Sequence, residues 1–437
     1  MPERDCTGRF AGGNSNLGAK CATNESTDAW TGGQVVPMRG RGNAIEYRAG
    51  WRNWLRRPID RPFLLKTTVI VAFCVGLLMC PALWIGPRSY PMAPIWSLLP
   101  PIEGVVATSL YGCLFLLAVL AVVLPKSGWC VAGFLAIVAA FCLADQTRWQ
   151  PWVFQYSFLL GVVALYPRAG SGEDAHVLDI ARLIVALTYV FSGLQKINLN
   201  FMANDFPWIV SPITSQLPFA SSLLEAFGFV VPFIQVAFGI GLLTQRYRRV
   251  SLWSAVCMHL FILAMFGPAG LNWNNVIWPW TATMAAFDVL LFSQASDFSW
   301  RKAAARRDPG LLAAVMLFAL LPLLSFFNLW DSYLSSALYS GNLTEAQIYF
   351  SDVGAASLAP AIKSRLVHTS PDTNVLNIQR WAMEDLNVTP YAETRVFKAI
   401  AKSVCSGMRD RSQLVLIVRE QRMFFSRPET GNRCAEL

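Results

Sequence analysis

The sequence predicts an all-α polytopic membrane helical bundle of about nine spans, carrying a small C-terminal extracytoplasmic α+β cap. Composition comes first: 54% of the 437 residues are hydrophobic and only 14% are charged, with a mean hydropathy of +0.41, which is membrane rather than soluble-enzyme usage. Nine apolar stretches follow one another at roughly 67–86, 105–124, 129–144, 152–166, 177–197, 226–243, 251–267, 276–294 and 311–329. Lysine and arginine, finally, cluster in alternate loops. The 16 tryptophans and 28 phenylalanines suit aromatic belts at the two interfaces.

Residues 1–50 are rich in Gly, Ser and Arg and read as a disordered cytoplasmic tail. No signal peptide precedes the first apolar run. Trp51-Arg-Asn-Trp-Leu-Arg-Arg57 reads either as an amphipathic stretch on the membrane surface or as a solvated basic approach to the first span. The bundle is then expected over 51–330. Several apolar runs fall short of the ~20 residues of a full span and need polar-capped or kinked helices.

Loop charge sets the expected sidedness. Arg48, Arg52, Arg56, Arg57, Arg61 and Lys66 surround the first entry; Arg246, Arg248 and Arg249 follow the sixth span; Arg301, Lys302, Arg306 and Arg307 follow the eighth. Loops 198–225 and 268–275 hold neither Lys nor Arg. Nine crossings put every basic cluster on one side, so the N-terminus is expected in the cytoplasm and residues 331–437 outside. The net charge of +9 is thus a topology signal, and no nucleic-acid partner is expected. In the cap, helix-like patches fall at 343–349, 355–366 and 391–405, and Gln413–Arg419 reads as a strand. Cys405 and Cys434 are candidates for a disulfide in an oxidising compartment, against the alternative of two free thiols. With no CxxC among ten cysteines, no metal site is expected.

The stretch Val177–Phe201, VLDIARLIVALTYVFSGLQKINLNF, organises the candidate chemistry. An ionisable group in a span is costly and marks a functional site by default; Lys196, near the end of this span, is such a group or else a snorkelling lysine. Its neighbours Ser192 and Gly193 are small enough for close helix packing. His259 is the sole histidine inside a span, counted about 15 Å deeper than Lys196. It reads equally as a hydrogen-bonded packing residue. Asn272, Asn274, Asn275 and Trp278 lie in a Gly/Pro-broken outer turn that suits a flat polar ring such as a quinone, or forms an interfacial aromatic girdle. Arg148 and Trp149 are placed at the same outer end. Arg182 and Asp288 are expected to form a structural ion pair near the inner side.

Phe191-Ser-Gly-Leu-Gln-Lys196-Ile-Asn, a later basic loop, a span with His259, and Gly270-Leu-Asn-Trp-Asn resemble the vitamin K-dependent gamma-carboxylase family. Its membrane part is the horizontally transferred transmembrane (HTTM) domain, with DoxX-like quinone-linked relatives, and the resemblance covers roughly 100–295. It implies a quinone or vitamin K-like hydroquinone as cofactor and Lys196 as base; the reading of the residues themselves adds His259 as a second catalytic candidate and Arg148, Trp149, Asn272, Asn274, Asn275 and Trp278 as candidate ligand-binding residues. The sequence departs from that pattern at Trp149-Gln-Pro-Trp152, where the family has Trp-Asn-Asn-His, and in its short cap. The scaffold and a quinone pocket are therefore what the resemblance implies, more than glutamyl carboxylation. Two classes stay open: a quinone-linked membrane enzyme, and a non-enzymatic membrane scaffold or small-molecule transporter. The bilayer, a small lipophilic ligand and an extracytoplasmic protein are the partners considered.

Overall fold

The computed structural model describes residues 60–124, 128–166, 171–294, 308–420 and 429–437. The tail 1–50, the Trp51–Arg57 stretch and the basic cluster 301–307 lie outside them.

Asp60 begins the first helix by accepting the Phe63 amide hydrogen, which satisfies one of the donors every helix start leaves open. Helix α1 (Arg61–Met79) is followed by α2 (Gly104–Val123), α3 (Gly128–Ala144), α4 (Pro151–Leu165), α5 (Ser171–Gln195), α6 (Phe206–Thr214), α7 (Val231–Leu242), α8 (Arg248–Phe266) and α9 (Ile277–Phe292). Helix α10 (Pro309–Ser325) contains a wide turn at Met316–Leu320. Proline recurs in the first turn of α1, α4, α6, α7 and α10, where its missing N–H costs no hydrogen bond.

Among the described residues, four helices are long and apolar enough to cross a membrane: Arg61–Met79, Gly104–Val123, Ala175–Gln195 and Arg248–Phe266. A fifth crossing is available if Pro218–Phe229 and Val231–Leu242, bent by 50°, count as one. Among the described residues, the nine or so spans expected from sequence are not reached by length and apolarity. Helices 128–144, 151–165, 277–292 and 309–325 are apolar but, at ~1.5 Å per residue, extend only about 22–26 Å against a ~30 Å hydrocarbon core. Many apolar side chains face outward, as on α2, where Val105, Leu116, Val119 and Val123 are exposed. In water such a face would be a liability; in lipid it costs nothing.

The C-terminal hundred residues form a five-stranded antiparallel sheet, ordered β2-β3-β1-β4-β5, from β1 (Glu345–Phe350), β2 (Val367–Ser370), β3 (Thr373–Asn377), β4 (Leu414–Arg419) and β5 (Glu429–Arg433). Helices α11 (Ile378–Leu386) and α12 (Thr394–Ser406) belong to the same core through Trp381, Leu386, Phe397 and Ile400. The helix expected at 343–349 is instead β1: Ala346, Ile348 and Phe350 alternate inward, a period of two that a helix cannot place on one face. The strand expected at 413–419 is β4. Cys405 and Cys434 are disulfide-bonded, tying α12 to the residue after β5.

The cap binds one end of the bundle. Asp385 accepts backbone hydrogens from Ser89 and Tyr90 at 2.6 and 2.7 Å. Asn387 donates to the Met79 carbonyl at the end of α1, and Gln150, before α4, donates to the Thr389 carbonyl. Gln195 at the end of α5 accepts from Asn342. Here also Asp331 clamps Arg395, and Glu393 accepts from the Ser332 amide and hydroxyl. Burial, with the Asp331 charge beside it, raises the Glu393 pKa from 4.5 to about 7. A carboxyl whose folded pKa is raised binds more protons than the unfolded chain between those two values. Its contribution to stability is therefore full below pH 4.5 and declines as pH rises to about 7. Relative to Glu393→Gln, the wild-type melting temperature is expected to fall across that window; parallel pH profiles would remove the assignment.

Candidate functional site

Helix α5 presents Tyr189, Ser192 and Lys196 at spacings of three and four, hence along one face. All three line a cavity of about 150 Å³ enclosed with α7, α8 and α9. The approach of α5 to α7 depends on glycine. A Cβ on Gly193 would come within 2.7 Å of Val236 Cγ2 and 2.8 Å of the Pro232 carbonyl oxygen, and one on Gly239 within 3.0 Å of the Val190 amide nitrogen. The close packing expected of the Ser-Gly-Leu-Gln-Lys segment is present.

The Lys196 amine bends back along its own helix, donating to the Ser192 carbonyl at 3.0 Å and the Ser192 hydroxyl at 2.6 Å. It lies 5.9 Å from the centre of the Phe201 ring. Two of its three donors are thus engaged. Lower in the cavity, the Tyr189 hydroxyl donates to Asp288 Oδ2 at 2.8 Å and contacts His259 Nε2 at 2.6 Å. With the hydroxyl proton directed to Asp288, an Nε2–H closes the second contact, leaving Nδ1 as the histidine's acceptor. His259 Nδ1 and Asp288 Oδ1 are buried without hydrogen-bond partners among the described residues. Elsewhere the walls are mainly apolar: Ile209, Val231, Phe261, Ile262 and Met284.

Lys196 and His259 therefore reach the same cavity. Tyr189 is two helical turns, about 10.5 Å, below Lys196, and the amine's descent to Ser192 shortens that further.

The Arg182–Asp288 pair does not form. Arg182 binds Asp179 on its own helix at 2.5 Å and donates to the Leu291 carbonyl at 2.8 Å, while Asp288 turns to Tyr189 and His259. Equal depth along two helices did not bring the two side chains to the same face.

Arg148 and Trp149 are away from the cavity. Arg148 is buried and donates to the carbonyls of Leu83 and Phe141 at 3.0 Å; Trp149 packs edge-on with Phe154. The asparagine turn also stands behind the lining. Asn272 and Asn274 have φ of 46° and 50°, the left-handed conformation asparagine tolerates. Asn275 donates its amide toward Asn387 at 3.4 Å, and Trp278 donates to the Phe266 carbonyl at 2.8 Å. Two of these residues hold lining residues in place: Trp278 through the Phe266 carbonyl, and Asn274 by donating to the Tyr339 hydroxyl at 3.1 Å.

Among the lining residues that the sequence reading did not assign to the site are Tyr189, Ser192, Gln235 and Tyr339. Tyr189 and Ser192 were legible as positions seven and four before Lys196, and Gln235 as a polar residue in an apolar run. Tyr339 carried no signal, since it comes from the segment joining bundle to cap. Among the described residues, no three His, Cys, Asp or Glu side chains gather as a metal site. No family model, curated protein or solved structure matches the chain.

Proposed function

We propose that this is an integral membrane protein that takes a small lipophilic molecule of quinone type into the α5–α7–α8–α9 cavity, with Lys196 as base or proton relay. The observation that carries this reading is the convergence of Lys196, Tyr189 and His259 on a single, mainly apolar chamber. Apolar walls with a few convergent polar groups are what a lipophilic ring with polar substituents requires. An amine held against Ser192 retains a donor for a ligand oxygen, and the hydrogen-bonded Tyr189 and His259 lie on the same chamber. Proton transfer through positioned groups of this kind is general acid–base chemistry. The resemblance of the Lys196 segment to the HTTM domain of the carboxylase-like family, with its quinone chemistry, belongs to this proposal.

The proposed topology has nine crossings, with the N-terminus cytoplasmic and the cap outside. Four full-length helices, the bent pair and the four shorter apolar helices make up that number. The short helices would be matched by local thinning of the bilayer. Arg61, near Gln294, and Arg182, on the Leu291 carbonyl, mark the end opposite the cap, and the Cys405–Cys434 bridge suits an oxidising compartment.

Extraction of the purified protein, followed by mass spectrometry, tests the ligand. With ubiquinone or menaquinone supplied during expression, wild type is expected to retain about one quinone per chain. Lys196→Met is expected to retain about tenfold less, the loss of one charge-assisted hydrogen bond. A wild-type protein free of quinone under both supplements would leave the non-enzymatic scaffold or transporter reading in its place.

A further inference from the structure

Above the inner cavity lies a second chamber of about 400 Å³, between α6, the asparagine turn and the cap. Tyr339 lines both spaces. Its φ of 51° is unusual for an aromatic residue, and its ring is held 4.8 Å from Phe266 and 6.0 Å from Trp208. The tyrosine is thus a fixed partition between an apolar compartment below and a more polar one above.

The upper chamber has its own chemistry. Trp208 and Trp273 meet at 6.0 Å with their planes 84° apart, so with Tyr339 they make a corner of aromatic rings. Asp205, Glu345 and Gln379 add polar groups to the walls, and no lysine or arginine is among the lining residues described. In a chain of net charge +9 that exclusion is selective, and it matches the lack of basic residues in loops 198–225 and 268–275. Arg419, the strand partner of Glu345, gives its guanidinium to Glu429 at 2.5 Å.

From this arrangement we infer that the upper chamber binds a substituted ammonium group, whether of a soluble amine or of a lipid headgroup. Aromatic faces attract alkylated ammonium through their quadrupoles, and carboxylates at the rim supply the counter-charge. Ca²⁺ takes six to eight oxygen ligands, whereas this chamber offers two carboxylates and a side-chain amide among aromatic walls. The site stands on its own residues and does not depend on a quinone occupying the lower cavity.

Choline chloride, titrated calorimetrically into full-length protein in phosphatidylglycerol nanodiscs, provides the test, with potassium chloride as the ionic control. Wild type is expected to show one saturable choline site. Asp205→Asn and Trp208→Ala are expected to weaken it about tenfold, and Trp208→Phe, which keeps a ring, by less. Unchanged helical circular dichroism shows that the variants remain folded. Repeating the titration with phosphatidylcholine in the nanodisc separates the sources: loss of choline binding assigns the site to a lipid headgroup, and retention assigns it to a soluble amine. Absence of saturable choline heat in wild type, heat reproduced by potassium chloride, or wild-type affinity in both the Asp205→Asn and Trp208→Ala variants overturns the inference.

Discussion

Asp145→Ala is expected to destabilise the folded chain by about 3–5 kcal/mol, the cost of removing one partner from a buried ion pair. Asp145 is fully buried. Its Oδ2 meets Arg88 Nη2 at 2.7 Å and lies 3.9 Å from Arg148 Nε. Its Oδ1 accepts from the backbone amides of Ala93 and Thr147. Truncation strips these partners at once and leaves Arg88 and Arg148 without the carboxylate between them. Arg148 keeps its bonds to the Leu83 and Phe141 carbonyls, so the heavier loss falls on Arg88. Asp145→Asn retains an acceptor for the two amides and is expected to cost less than Asp145→Ala. Denaturant unfolding in detergent checks both, and an alanine variant within about 0.5 kcal/mol of wild type would show that the network is structurally idle.

That network also explains why Arg148 was misread from sequence. Asp145, Gln146, Thr147, Arg148 and Gln150 form a run of polar residues between apolar helices, and such a run reads as a ligand site. In the fold they bind backbone: Arg148 caps carbonyls of Leu83 and Phe141, and Gln146 and Gln150 reach Ala93, Pro94 and Thr389. A buried turn must satisfy its peptide groups somewhere, and here side chains do so. Sequence gave the polar residues without distinguishing a ligand partner from a backbone partner.

The apolar helices and the change of character toward the C-terminal sheet were legible, because each rests on composition or local period; Cys405 and Cys434 were legible only as candidates for the bridge that they form. Hydropathy shows where apolar runs begin and end. It says little about whether a fifteen-residue helix such as Pro151–Leu165 crosses the whole bilayer. Rotation of one helix against another is also invisible to it, which is why Arg182 was paired with Asp288 when Tyr189, seven residues on and on the cavity face, was the true partner. Tyr339 depended on a connection more than 140 residues distant from Lys196, and no period could reveal it.

The glycine beside Lys196 provides the sharper test of how that cavity is built. Gly193→Leu is expected to destabilise the bundle by about 2–3 kcal/mol, at the upper end of what overpacking costs, and to abolish ligand retention even in molecules that fold. The first added carbon already meets backbone on α7, at 2.8 Å from the Pro232 oxygen and 2.9 Å from the Val236 nitrogen. Backbone in a helix cannot step aside as a flexible side chain can, so α5 and α7 must separate. Those two helices carry Tyr189, Ser192 and Lys196 on one side of the cavity and Val231 and Gln235 on the other. Separation therefore moves the polar groups apart before the bundle unfolds. Gly193→Ala, with the same first carbon and nothing beyond it, is expected to cost roughly 1 kcal/mol and to keep part of the ligand. Melting temperature and bound lipophile measured on the same preparations check the pair. A leucine variant with wild-type stability would mean that the α5–α7 contact is loose and that the cavity owes its shape to something else.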